Sequence, residues 1–232
     1  MASRRRIVVL NPNTNASTTA AMVALARQAC GANFEVDGRT APFGSSFIID
    51  QQELETSATA VSEMAAQIAA ERPRETGLIV AAFGDPGLED ARRSFAGPVV
   101  GIGEAGLLAG AFGGRPFSIV TSTAGLGSRI EKMADNLGLA DQLRSVRQTP
   151  SHPSQLIGKP ERLFAELLLA ARQAVSLDGA QTIVIGGGPL ARFAKDIELE
   201  LGVPAIDPVS AAVKKLIYQW SDGQAMQPCP RM

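Results

Sequence analysis

Hydrophobic positions along the chain fall into short continuous runs rich in Val and Ile, separated by longer stretches in which apolar residues recur at helical spacing. The runs "RIVVL" (6–10), "FEVDGRT" (34–40), "GLIVAAF" (77–83), "PVVGI" (98–102), "FSIVT" (117–121), "SVRQT" (145–149) and "QTIVIG" (181–186) predict strands. Because most of them do not alternate with polar residues, they read as strands covered on both faces. The stretches between them predict helices over 17–30, 52–71, 86–94, 104–112, 125–137, 160–176, 189–201 and 208–220. Strand–helix alternation of this kind predicts an α/β fold with parallel sheets.

A weak internal repeat divides the chain. "RRRIVVLNPNTNAS" (4–17) has the shape of "RPFSIVTSTAGLGS" (115–128), and "TGLIVAAFGDPGLEDAR" (76–92) that of "AQTIVIGGGPLARFAKD" (180–196). In each pair a strand runs into a turn that opens a helix. The separation from Asn11 to Ala82 is close to that from Thr121 to Gly187, so two similar halves related by a pseudo-two-fold are expected. The boundaries that follow are 1–97 plus 205–232 for the first half and 98–204 for the second, with "AIDPVSAAVKKLIYQW" (205–220) packing back on the first. Open parallel sheets bind ligands beyond the carboxyl ends of their strands. Four turns, two from each half, would therefore face one cleft.

Composition narrows the function. The 232 residues are 45% hydrophobic and carry a net charge of −1. No basic excess points to nucleic acid, and no apolar run approaches the length of a membrane span. A soluble cytoplasmic protein is expected. The two cysteines, Cys30 and Cys229, show no metal-ligand spacing. His152, the one histidine, sits in "PSHPSQ" with no motif partner and reads as a solvated loop residue. "GIGEAG" (101–106) formally matches a dinucleotide fingerprint but lacks the acidic residue at the end of the next strand, and "GGGPLAR" (186–192) lacks the Lys-Ser/Thr of a phosphate loop. Asp85 and Asp207, each followed by Pro, read as helix N-caps with Pro at the first helical position. The Gly/Ala-rich "LLAGAFGG" (107–114) reads as core packing.

"NPNTN" after the first strand, "FGDPGL", "GIGEAG", "FSIVTST" and "AIDPVSAAVK", in this order, resemble the hydantoin/allantoin racemases of the aspartate/glutamate racemase superfamily. The resemblance spans about residues 5 to 218 and implies two flavodoxin-like halves around a cofactor-free, metal-free site for a small molecule. It also makes a homo-oligomer a possibility. It further implies two thiols, one from each half, of which one removes an α-proton and the other returns it to the opposite face. Those thiols belong at Ala82 and Gly187, and this sequence has neither. By the same resemblance the pocket is lined by Asn11, Thr14, Phe47, Ala82, Phe83, Thr121, Ser122, Gly187, Gly188 and Pro189. No catalytic base is assigned. Three readings stay open here. The first is an enzyme of the hydantoin-racemase kind acting on a small cyclic ureide, imide or carboxylate. The second is a thiol-independent lyase, isomerase or hydrolase, in which Thr14, Thr121, Ser122, Thr123 or Asp85 positions water or donates to an oxyanion. The third is a non-catalytic small-ligand-binding relative.

Overall fold

A computed structural model of the chain describes residues 4–71 and 75–225. Two four-stranded parallel sheets organise it. The first contains β1 (Arg6–Asn11), β2 (Glu35–Thr40), β3 (Thr76–Val80) and β4 (Val99–Gly101) in the order β2-β1-β3-β4. The second contains β5 (Phe117–Thr121), β6 (Leu143–Gln148), β7 (Thr182–Ile185) and β8 (Ala205–Ile206) in the order β6-β5-β7-β8. The two orders are the same once the numbers are shifted by four, as the repeat predicts.

The boundary between the halves is corrected in two places. β4 pairs with β3 in the first sheet, and β8 pairs with β7 in the second. The helix that follows each of these strands crosses to the other half. α4 (Ile102–Gly110) packs on β7 and β8, and α9 (Pro208–Ala225) packs on α1 (Ala16–Cys30), β3 and β4. The expectation for 205–220 therefore describes its helix but not its strand. α4 and α9 also pack against each other. Gly110 makes close packing of α4 possible, because a Cβ there would lie 2.5 Å from Val184 Cγ2.

Both faces of each sheet are covered, which explains the continuous Val/Ile runs. In β1, Ile7 and Val9 face the layer of α1 and α9, while Val8 and Leu10 face α2 (Gln51–Ala69) and α3 (Leu88–Ser94). In β7, Ile183 and Ile185 meet α7 (Pro160–Ser176) and α8 (Ala194–Leu201), and Val184 faces the opposite layer. All seven of these side chains are fully buried. Each contributes roughly 1.5–3 kcal/mol by leaving water. α5 (Gly127–Asn136) covers the outer part of the second sheet, and one further short helix, α6 (Pro153–Leu156), was not foreseen. β3 stops at Val80 rather than 83, so Ala81, Ala82 and Phe83 belong to the turn.

Asp207 caps α9 as expected, accepting from the N–H groups of Val209 and Ser210. Asp85 does not cap the helix that follows it. α3 begins after Gly87, and the Asp85 carboxylate instead accepts from Gly103 N (2.8 Å) and Glu104 N (2.7 Å) at the start of α4. This explains the glycines of "GIGEAG". A Cβ at Gly101 would lie 2.2 Å from Asp85 Cγ, and one at Gly103 would lie 3.0 Å from Asp85 Oδ2. The helix start that resembles a phosphate cradle is filled by a carboxylate of the same chain. Asp85 adopts φ of 48°, in the left-handed region that a short polar residue tolerates better than most. Beside it, Glu104 pairs with Arg92 and with Lys215 of α9.

Burial pushes the Asp85 carboxyl up from its ordinary 3.8 to about 7, against the pull of the two N–H groups that favour the ionised form. The folded chain therefore holds this proton more tightly than the unfolded chain, and stability falls as pH rises from 3.8 to about 7. Denaturant unfolding across that window should show the decline, and Asp85→Asn should flatten it. Asp85→Ala, which leaves both N–H groups without an acceptor, should cost about 1–3 kcal/mol at neutral pH.

Candidate functional site

The carboxyl ends of both sheets converge on a cavity of about 600 Å³. Four turns build its floor, and two loops build its walls. The first turn is a polar knot. Asn11 is fully buried, and its Nδ2 donates to Asn13 Oδ1, to the Asn15 carbonyl and to Thr19 Oγ1. Asn15 caps α1, accepting from the N–H groups of Ser17 and Thr18. Asn13 Oδ1 also accepts from Asn15 N, which fixes the orientation of that amide and leaves its NH2 for the cavity it lines. In the second half, Thr121 is likewise buried. Its hydroxyl donates to the Gly186 carbonyl and accepts from Thr123 N, tying the two turns of that half together.

The other two turns bring Ala82 and Gly187 to the same cavity. Close approaches hold them there. A Cβ on Gly188 would lie 2.3 Å from Met22 Sδ and 3.3 Å from the Ala81 carbonyl oxygen, so the second-half turn sits directly on the first half. Arg129 of α5 reaches back and donates Nε and Nη2 to the Gly84 carbonyl, at 3.2 and 3.0 Å. The N–H groups of Ala82, Phe83 and Gly188 have no acceptor among the described residues.

One wall is the loop after β2, which carries Phe47, Ile48 and Ile49. It is held by the Glu53 carboxylate, which accepts from Ser45 Oγ and Ile49 N, and by Thr14, whose N–H donates to the Ser45 carbonyl. The opposite wall is the loop after β6, with Pro153, Leu156, Ile157, Lys159 and, at the start of α7, Leu163. Glu166 straps that loop by accepting from Ser151 N and Oγ.

Of the ten residues expected to line the pocket, Phe47, Ala82, Phe83, Ser122, Gly187, Gly188 and Pro189 do so. Asn11, Thr14 and Thr121 do not. Asn11 and Thr121 are turned inward, where each bonds the backbone of the turns around it, and the Thr14 N–H holds a wall loop. Sequence reading missed Asn13, Ser17, Thr18, Leu126, Lys159 and Arg192, together with most of the second wall. The internal repeat held the signal: carried one loop further, it pairs the segment after β2 with the Pro-rich segment after β6. His152 is exposed and caps α6 through Nδ1. Cys30 ends α1 outside the cavity lining, where burial pushes its thiol up. Cys229 lies outside the described residues. Among the described residues, no thiol, imidazole or carboxylate lines the cavity, and Lys159 and Arg192 are its only ionisable side chains.

Fold and site define a two-sheet α/β protein with a ligand cleft between like halves. The Asp/Glu/hydantoin racemase family model matches residues 7–216, and the chain belongs to that family. It is 30% identical to the hydantoin racemase of Pseudomonas sp. (strain NS671), over 90% of this chain and 83% of that protein. To the hydantoin racemase of Paenarthrobacter aurescens it is 30% identical over 96% of both chains. The crystal structure of allantoin racemase from Pseudomonas fluorescens superposes with a TM-score of 0.87 at 28% identity, covering 98% of both chains. The protein is thus hydantoin/allantoin-racemase-like. Among the described residues, no helix is long and apolar enough to cross a membrane.

The two adjacent glycines respond differently to a methyl group. Gly188→Ala should cost about 1–3 kcal/mol, because Met22 and a backbone carbonyl must give way. Gly187→Ala, whose Cβ would meet only the flexible Leu190 side chain at 3.0 Å, should cost under about 1 kcal/mol in thermal or denaturant unfolding.

Proposed function

We propose that the cavity takes a small cyclic ureide, imide or carboxylate. On this reading the protein is a cofactor-independent, hydantoin-racemase-like enzyme that activates the α-carbon of its ligand without a thiol pair. The observation carrying this reading is that Ala82 and Gly187, at matching turns of the two halves, line one cavity with Phe83 and Gly188, and that the N–H groups of Ala82, Phe83 and Gly188 have no acceptor among the described residues. Loss of the α-proton from such a ring puts negative charge on the neighbouring carbonyl oxygen. Fixed N–H donors beside the ring stabilise that oxyanion, and no cofactor is needed for the step. Asn13 and Ser122 add side-chain donors to the same wall.

Neither a methyl group nor a glycine hydrogen accepts a proton, so what remains for the protein is binding and polarisation, with solvent as the proton carrier. That predicts exchange of the α-proton above the buffer rate but far below that of a two-base enzyme. A thiol at Gly187 would need the Leu190 side chain, 3.0 Å from a Cβ there, to move, and the Gly187 backbone is in an ordinary conformation.

The test follows loss of the α-proton signal of allantoin and 5-substituted hydantoins in D2O by NMR, with the Ala82→Cys/Gly187→Cys variant alongside. The native chain should exceed buffer modestly, and the double variant should exceed the native chain by about 10²–10⁴-fold, the usual worth of positioned proton transfer. A native chain that neither binds these rings nor exceeds buffer, with a double variant equally silent, overturns the reading.

A further inference from the structure

We propose that the ligand of this cavity is a ureide that also carries a carboxylate, and that Lys159 and Arg192 recognise it. This deepens the reading above and rests on it. Among the described residues, the cavity lining contains two cationic side chains and no acidic one. A neutral ureide ring requires neither, since its carbonyl and N–H groups are served by amides, hydroxyls and backbone.

Lys159 and Arg192 are also uncommitted. Neither forms an ion pair among the described residues, although most other arginines near structured elements are engaged: Arg6 with Asp37, Arg92 with Glu104, Arg147 with Asp178 and Arg162 with Glu166. Arg192 is held in place instead by the Phe193 ring, over which its guanidinium carbon lies at 4.6 Å. That contact restrains the side chain while leaving its N–H fork free, and a planar fork suits a carboxylate. Lys159 immediately precedes α7 in the wall loop, and Arg192 follows the Gly187–Pro189 turn. Both come from the second half, so they mark one side of the cavity.

The surroundings have the same sign. α1, of fifteen residues, and α7, of seventeen, both begin among the lining residues, so the positive ends of both macrodipoles lie at the cavity. The lining also includes Leu126, Leu156, Ile157 and Leu163, apolar side chains against which the carbon substituent of a ligand can rest. The ligand class that fits is a ureide with an anionic arm. Two sources share that chemistry: a ring bearing a carboxylated substituent, and the ring-opened N-carbamoyl amino acid.

Isothermal titration with three probes tests this: 5-benzylhydantoin, 5-(4-carboxybenzyl)hydantoin and N-carbamoylphenylalanine. At low ionic strength at least one of the two carboxylates should bind about tenfold more tightly than neutral 5-benzylhydantoin, and which one does so identifies the source. The preference should shrink several-fold as salt is raised to about 0.5 M. It should disappear in Lys159→Met/Arg192→Met and persist in the control Lys195→Met, whose site is an exposed position of α8. Equal binding of neutral and charged probes, or a preference that survives in the double variant, overturns the proposal while leaving the ureide site standing. Failure of all three probes to bind overturns both.

Discussion

The contact between the Asp85 carboxylate and the first N–H groups of α4 fixes the positions of everything else in the site. A buried carboxylate is costly unless its oxygens are satisfied, and a helix start leaves N–H groups that need acceptors. Each offsets part of the other's cost here, with burial still holding the carboxyl up at about 7. The bond joins the turn after β3, which carries Ala82, to a helix that has crossed to the second sheet. Because α9 makes the reciprocal crossing, the halves are interlocked through their helices rather than merely docked. The Arg129 bond to the Gly84 carbonyl and the seat of Gly188 on Met22 then set the distance between the facing turns.

That arrangement holds four strand-to-helix turns open toward one space that, among the described residues, no thiol, imidazole or carboxylate lines. In Asn11 and Thr121, the polar residues that look most like chemistry serve the backbone of the turns themselves. The residues that meet the ligand space are small ones at the two turn entrances, with donors and an apolar wall around them. A scaffold of this kind separates positioning from reaction: the turns remain in place when the groups at Ala82 and Gly187 cannot transfer a proton. Family membership accounts for the frame, and the occupants of those two positions set what the frame can do.

Much of this was legible in the chain. Val/Ile runs marked strands covered on both faces, and the repeat of turn-bearing segments indicated two like halves and the cleft between them. β4 and β8 are too short, at three and two residues, for their partners to be read from pattern, so the crossing of α4 and α9 was missed. The role of Asp85 was half legible. Its capping character followed from the residue type, but its partner lies eighteen positions on and is reached only through the tertiary fold. Lys159 and Arg192 were hidden for a different reason: a charged residue in a loop looks the same whether it faces solvent or a cavity.

The central claim is that one ligand lies between Ala82 and Gly187, with its developing oxyanion served by backbone N–H groups of both halves. A crystal structure of the native chain with a 5-substituted hydantoin bound tests it most directly. The ring should lie between these two residues, with a carbonyl oxygen within hydrogen-bonding distance of the N–H of Ala82, Phe83 or Gly188. A ring seated elsewhere, or held in the cavity with its carbonyls turned toward the Phe47 wall and away from those groups, would contradict it.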